Sequence, residues 1–297
     1  MKDKPSLVEI NLSDNAFGGR SVDPMVPLLT HNRSIEILRL NNNGLGPAGG
    51  EVIAKALRES AEISKAAGLR SNLKTVICGR NRLENGSAGA WADAFAAHGT
   101  LVEVRMFQNG IRMEGITRLG EGLSKCPDIQ HIDLQDNTFT VDGEVDGVEL
   151  WAKVVSGWPH LHTLNLSDCV LSADGEVPAL LTTLAGGSNP KLHTLQLQNN
   201  NLEGESFALI AGAIGTGLKT LQRLELQWNE VEEDNEHIQN IGLSLKARGG
   251  KLIATDEDEA EEEEEEEEVD ESEVKPAPSG KDETDELADL FGKVTVQ

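Results

Sequence analysis

Residues 35–45 read Ile35-Glu-Ile-Leu38-Arg-Leu40-Asn-Asn-Asn43-Gly-Leu45. Leu38 and Leu40 alternate, so on a short strand both point to one face while Arg39 and Asn41 point to the other. Asn43 follows where the strand must turn. An asparagine turned inward there can bond the backbone of its own loop and of a neighbouring one. Such a unit cannot bury its apolar face alone and needs copies stacked on either side.

The copies are present. Leu7–Phe17 (LVEINLSDNAF), Leu73–Leu83 (LKTVICGRNRL), Leu101–Ile111 (LVEVRMFQNGI) and Ile129–Phe139 (IQHIDLQDNTF) repeat the pattern. So do Leu161–Leu171 (LHTLNLSDCVL), Leu192–Leu202 (LHTLQLQNNNL) and Leu221–Val231 (LQRLELQWNEV). The ladder residues are Asn15, Asn43, Asn81, Asn109, Asn137, Cys169, Asn200 and Asn229, at steps of 28, 38, 28, 28, 32, 31 and 29. The pattern is L-x-x-L-x-L-x-x-N-x-L, the leucine-rich repeat, and about eight copies are expected.

The intervals leave room for a helix and two short loops. In 47–57, Val52, Ile53, Ala56 and Leu57 form one apolar stripe behind Pro47, which suits a first helical turn. Ile116, Leu119, Gly120 and Leu123 repeat the stripe, as do Leu209, Ile210, Ala213 and Ile214. The expected fold is α/β: a right-handed leucine-rich-repeat horseshoe of ribonuclease-inhibitor-like type, with a parallel concave sheet and convex helices. The longer step from 43 to 81 reads as an insertion over Glu59–Ser71, rich in charged and small residues and expected as a loop on the rim.

Of 297 residues, 26 are basic and 51 acidic, net −25. Residues 256–297 carry 20 acidic and 3 basic side chains, including the run Glu261–Glu268, whereas 1–255 carry 31 and 23. The expected division is a repeat domain over 1–255 and an acidic, largely disordered tail over 256–297, since a run of like charge has nothing to fold around. Leu287, Leu290 and Phe291 in the tail share a helical face, a helix too short to hold without a partner.

No stretch approaches the roughly 20 apolar residues of a membrane span. The opening MKDKPS does not read as a signal peptide, and a surface this acidic repels phosphates. Neither membrane insertion nor nucleic-acid binding is expected. Cys78, Cys126 and Cys169 are odd in number and scattered, and read as reduced buried groups. His131, His162 and His193 read as outward strand residues on the concave face, not as metal ligands. Phosphate-binding, metalloprotease, hydrolase and zinc signatures are absent, so no cofactor or metal and no active site of its own is implied.

A protein-binding surface is the default for a horseshoe. The residues just after each strand, Ser13-Asp14, Asn41-Asn42, Gly79-Arg80, Phe107-Gln108, Gln135-Asp136, Ser167-Asp168, Gln198-Asn199 and Gln227-Trp228, form one rim, polar with two aromatics. Asn41, Gln108, Asp136 and Asp168 are candidate partner-binding residues on it.

Five segments and the acidic tail carry a more specific resemblance. SDNAFG (Ser13–Gly18), NNGLGP (Asn42–Pro47), ICGRNRLENGS (Ile77–Ser87), QNGIRMEGI (Gln108–Ile116) and LQDNTFT (Leu134–Thr140) resemble RanGAP, the activating proteins of the small GTPase Ran, in their fungal, yeast-like form. The resemblance implies a GTPase activator that binds GTP-bound Ran through the rim and loops of the horseshoe and inserts no arginine finger. It implies that Asn42 helps hold Ran's own catalytic Gln, and that Arg80 and Arg82 contact the GTPase. It further implies a monomer acting in nucleocytoplasmic transport, with Ran-binding proteins or transport receptors as further partners. The implied location is the cytoplasm, including the cytoplasmic face of the nuclear envelope. The family carries further repeats before SDNAFG, one with an arginine important to activity, and the chain is expected to lack them. The alternative is a non-activating interaction scaffold on the same horseshoe.

Overall fold

Every strand among the described residues is three residues long, and all but the last hide their middle residue. The computed structural model describes residues 7–230 and 235–255. The strands are β1 (Glu9–Asn11), β2 (Ile37–Arg39), β3 (Thr75–Ile77), β4 (Glu103–Arg105), β5 (His131–Asp133), β6 (Thr163–Asn165), β7 (Thr194–Gln196), β8 (Arg223–Glu225) and β9 (Lys251–Ile253). They form one sheet in sequence order, parallel throughout, with middle residues in register: Ile10 beside Leu38, Leu38 beside Val76, and so on to Leu224 beside Leu252. All the middle residues are buried except Leu252, which is half-buried on the last strand. A parallel pair needs a crossover, and here the crossovers are helices.

The helices are α1 (Val26–His31), α2 (Gly46–Ala66), α3 (Glu84–His98), α4 (Met113–Leu123), α5 (Asp146–Val155), α6 (Ala179–Ala185), α7 (Gly204–Ala213) and α8 (Glu236–Lys246). The stripes expected on α2 and α4 face the core: Ile53, Ala56 and Leu57, then Ile116, Leu119 and Leu123, are buried. Each fully buried Leu or Ile contributes about 1.5–3 kcal/mol. Large aromatics fill the space under the helices. Trp91 and Phe95 meet under α3, and Trp151 packs edge-on against both Phe139 and Trp158. Trp151 Nε1 donates to Ile116 O at 2.9 Å, tying α5 to α4. Helices α3 and α4 approach closely at Gly122, where a Cβ would lie 2.4 Å from Ala92 O.

Three expectations are corrected. The stretch after Glu59 does not open into a loop as far as Ala66; it prolongs α2 to 21 residues. Ser60, Ala61 and Ser64 continue the buried face of Ala56 and Leu57 at helical spacing, so small residues that look loop-like in the sequence serve as close-packing positions. A ninth strand, β9, follows the eight expected repeats. It lacks a ladder asparagine and so escapes the pattern. Of the three outward histidines only His131 lies on a strand; His162 and His193 precede β6 and β7 by one residue. Segment 256–297, including the apolar face at Leu287, Leu290 and Phe291, lies outside the described residues.

Candidate functional site

The edge where strands exit into loops is held by an asparagine amide in seven of the eight ladder positions, buried in the middle of the stack. Asn43 Nδ2 donates to Leu12 O, Leu40 O and Asn41 O at 2.9, 3.0 and 3.1 Å, while its Oδ1 accepts from Asn15 N at 3.0 Å. Asn81 Oδ1 accepts from Asn43 N, and Asn109 Oδ1 from Asn81 N, each at 3.0 Å. Asn137 Oδ1 accepts instead from Ile111 N at 3.0 Å, and its Nδ2 reaches Met106 O and Leu134 O. Asn200 takes Cys169 N and Leu171 N, and Asn229 takes Asn200 N and Leu202 N. Asn15 makes its own-loop bonds to Leu12 O and Ser13 O but is exposed, being first in the described stack.

Cys169 imitates half of this. Its Sγ lies 3.3 Å from Leu134 O and Ser167 O, as a donor would, but a thiol brings no amide oxygen. Burial pushes this thiol's pKa up, and those of Cys78 and Cys126 to about 12 and about 11. All three are therefore poor nucleophiles.

The residue before each ladder position is left-handed in all eight repeats: Asp14, Asn42, Arg80, Gln108, Asp136, Asp168, Asn199 and Trp228 have φ between 49° and 61°. None is glycine. The conformation is enforced by a file of main-chain bonds, among them Asp14 N to Asn41 O, Asn42 N to Gly79 O and Arg80 N to Phe107 O at 2.9–3.0 Å. Left-handed backbone at a non-glycine residue costs of order 1 kcal/mol and persists only where the surroundings over-determine it. The ladder supplies that constraint. It brings five of the candidate residues, Asn42, Arg80, Gln108, Asp136 and Asp168, onto one line.

The side chains on that line are partly fixed to one another. Asn42 is exposed, and its Nδ2 donates to Asp14 Oδ1 at 3.0 Å across 28 residues. Only an amide nitrogen can donate to a carboxylate, so Asp14 sets which way the Asn42 amide is turned. Asn42 Oδ1 is then presented outward, with no hydrogen bond among the described residues. Arg80 Nε donates to Gln108 Oε1 at 2.5 Å, and its guanidinium sits 6.0 Å above the Phe107 ring. That ring covers Gly79, where a Cβ would meet it at 2.5 Å. Asp168 accepts from Asn199 Nδ2 at 2.8 Å and from Gln135 Nε2 at 3.4 Å. Asp136 is exposed without a side-chain partner among the described residues.

Two candidates fall off this line. Asn41 is half-buried, and its Oδ1 accepts from Gly79 N at 2.7 Å, so its acceptor is engaged inside the loop stack. Arg82 lies beyond the ladder residue, exposed and itself left-handed at φ 54°, in the next row over. Asp14 is the residue that the reading of the sequence passed over as a site. Its signal was its place in the same slot as Asn42, one repeat earlier.

Between the edges, the concave face carries a titratable cluster. Burial pushes Asp133 up to about 6 despite the Gln135 N–H it accepts, and burial, reinforced by Arg105, holds His131 down to about 4. Arg105 itself bonds Glu103 at 2.6 Å.

Comparison with known proteins bears on what this rim serves. A family model described as Leucine Rich repeat matches residues 31–54, 159–175 and 188–211. Ran GTPase-activating protein 1 of Saccharomyces cerevisiae is 38% identical over 239 residues, 78% of this chain and 57% of that protein. Ran GTPase-activating protein 2 of Caenorhabditis elegans is 48% identical over 37% of this chain and 12% of its own length. The chain is thus similar in sequence to several Ran GTPase-activating proteins. Ran GTPase-activating protein 1 of Xenopus laevis is likewise 48% identical, over 35% of this chain and 18% of its own. The chain spans just over half the length of the yeast relative and smaller shares of the other two. A solved internalin from Listeria monocytogenes str. 4b F2365 aligns over 86% of this chain and 70% of its own at 16% identity and a TM-score of 0.43, too loose a likeness to bear on function.

Proposed function

We propose that this chain is a GTPase activator for Ran, docking on the GTP-bound form through the exit edge and contributing no active site of its own. The supporting observation is the 38% identity over 239 residues to the yeast Ran GTPase-activating protein, joined to the geometry of Asn42. In this reading the outward Asn42 Oδ1 accepts from the side-chain amide of Ran's catalytic Gln. That Gln, held still, orients the attacking water in line with the γ-phosphate. Phosphoryl transfer needs positioning and electrostatic stabilisation more than covalent help, so ordering one mobile side chain is a sufficient mode of action. Asp14 keeps the Asn42 amide turned the right way. Arg80 stays back, bound to Gln108 over Phe107, in keeping with contact rather than insertion as a finger. Asp136, exposed on this line, and Arg82, exposed beside it, are docking contacts. The setting is nucleocytoplasmic transport, on the cytoplasmic side.

Single-turnover hydrolysis of Ran-bound GTP, with and without the chain, tests the proposal. Acceleration that disappears in Asn42→Ala while binding persists is the expected result. Binding without acceleration by the parent chain would replace the activator with the non-activating scaffold.

A further inference from the structure

The edge where helices return into strands has a character of its own. Its backbone also runs as a file, His162 N to Gln130 O, His193 N to His162 O and Gln222 N to His193 O at 2.8–2.9 Å. The segments that build it in the later repeats, 156–165, 185–196, 214–224 and 243–253, contain no Asp or Glu in a chain of net charge −25. The exit loops of the same repeats are the reverse: 166–178 and 197–207 hold Asp168, Asp174, Glu176, Glu203 and Glu205 and no Lys or Arg. The later repeats are thus polarised across the sheet.

Basic groups on the returning edge also crowd each other. The rings of His162 and His193 stack at 4.4 Å with planes 4° apart, and Lys191 Nζ lies 3.1 Å from His160 Nδ1. His160, Lys191 and Lys219 are exposed. Other cations nearby are already committed: Arg223 bonds Glu225 at 2.5 Å on the concave face, and Arg248 donates to Ile214 O and Lys219 O. On the returning loop of the adjoining repeat, Asp128 pairs with Arg70 at 3.1 Å.

We infer that this returning edge, centred on His160, His162, Lys191, His193 and Lys219, docks an acidic polypeptide segment of a partner protein. Neighbouring strands lie about 4.8 Å apart, so the three repeats that bear these residues offer a row of roughly 10 Å, the length of about three extended residues. A long polyanion such as RNA would run past this row onto a strongly acidic protein. A membrane would gain little, because no large apolar side chain stands exposed in the loops bearing His160, Lys191 and Lys219. The returning edge lies across the sheet from the proposed Ran-binding edge, so it is a separate surface.

The test is fluorescence anisotropy of a labelled oligoglutamate peptide of about eight residues with the full chain, at low and physiological salt. Binding should weaken with salt, and Lys191→Glu combined with Lys219→Glu should reduce it by about tenfold or more. The milder pair Lys191→Gln and Lys219→Gln should give a smaller loss in the same direction. Lys153→Glu on α5, exposed on the convex side, should leave binding within about twofold. Acceleration of Ran's GTP hydrolysis should be the same for parent and double variant, so that this surface and the activator proposal fail separately. The inference is overturned if the peptide does not bind or the charge reversal leaves binding intact. It is also overturned if single-stranded RNA or phosphatidylserine vesicles bind in preference with the same sensitivity.

Discussion

On the exit edge, an inward amide in every repeat but that of Cys169 clamps carbonyls and N–H groups, three and one at Asn43, and the residue before it is forced left-handed. On the returning edge the side chains that hold the loops differ from repeat to repeat, Asn189 donating to Val155 O and Trp158 O, Thr220 to Leu192 O and Arg248 to Ile214 O, and the shared feature is charge. The first edge is positioned by the core, so its side chains are displayed at set places and suit chemistry that depends on ångström-level placement. The second is set by composition and suits long-range attraction, which tolerates imprecise placement. The same repeat thus produces one edge held by a repeating amide and another held by different side chains in each repeat.

The comparison breaks first if the clamp is not what makes the exit edge rigid. Asn137→Ala leaves Ile111 N without its acceptor in a buried place and takes one of two donors from Met106 O and Leu134 O, which keep Asn109 Nδ2 and Cys169 Sγ, a loss of about 1–3 kcal/mol. Repeats couple only to neighbours, so hydrogen exchange should speed up locally around residues 109–169. Uniform protection there would show the ladder to be dispensable.

Adjacent asparagines then sharpen it. Asn42→Ala should leave thermal unfolding nearly unchanged yet lower Ran's stimulated hydrolysis by about 100-fold with little loss of binding, the pattern of an interaction made chiefly in the transition state. Asn43→Ala should do the reverse. Equal stimulation by Asn42→Ala and the parent would remove Asn42 from the mechanism.

Asp14 is a smaller test of the same placement. Asp14→Ala frees the Asn42 amide to rotate and should reduce stimulation by about tenfold, whereas Asp14→Asn, which keeps an acceptor oxygen, should recover most of it. Identical rates for the two variants would mean that Asp14 orients nothing.

The smallest effect lies between the edges. Asp133 rises from its ordinary 3.8 to about 6, so the native state binds the extra proton and its share of stability falls as pH climbs from about 4 to 6. His131 drops from 6.5 to about 4, so its share falls as pH descends from about 6.5 to 4. The two oppose each other. Denaturation across this range should therefore show Asp133→Asn tilting the parent's profile toward greater stability at higher pH, and His131→Gln tilting it the other way. Tilts of the same sign would contradict the burial of one of the pair.

Much of this was legible in the residues, for a physical reason. The apolar spacing of Leu38 and Leu40 and the asparagine three residues on are local requirements of one strand and one turn, so they recur in the text of the chain. The prolonged α2 was not legible, because whether Ser60 and Ser64 lie in a loop or a helix is decided by what packs on them. Nor was the engagement of Asn41 by Gly79, or of Asn42 by Asp14, since those bonds cross 38 and 28 residues. β9 went unseen because Glu257 stands where the pattern calls for an asparagine. A reader of sequence finds the frame, while the hydrogen bonds that choose between display and clamping must be seen in space.

The left-handed slot has a consequence for how such a protein changes over evolutionary time. Asp, Asn, Arg, Gln and Trp all occupy it on nearly the same backbone, within a φ range of about twelve degrees. The frame therefore behaves as a type-case into which different letters drop without resetting the line. A lineage can rewrite what the edge recognises one residue at a time, each step leaving the core beneath it untouched. Recognition is free to drift here at a rate that the amides one position further along forbid to the fold.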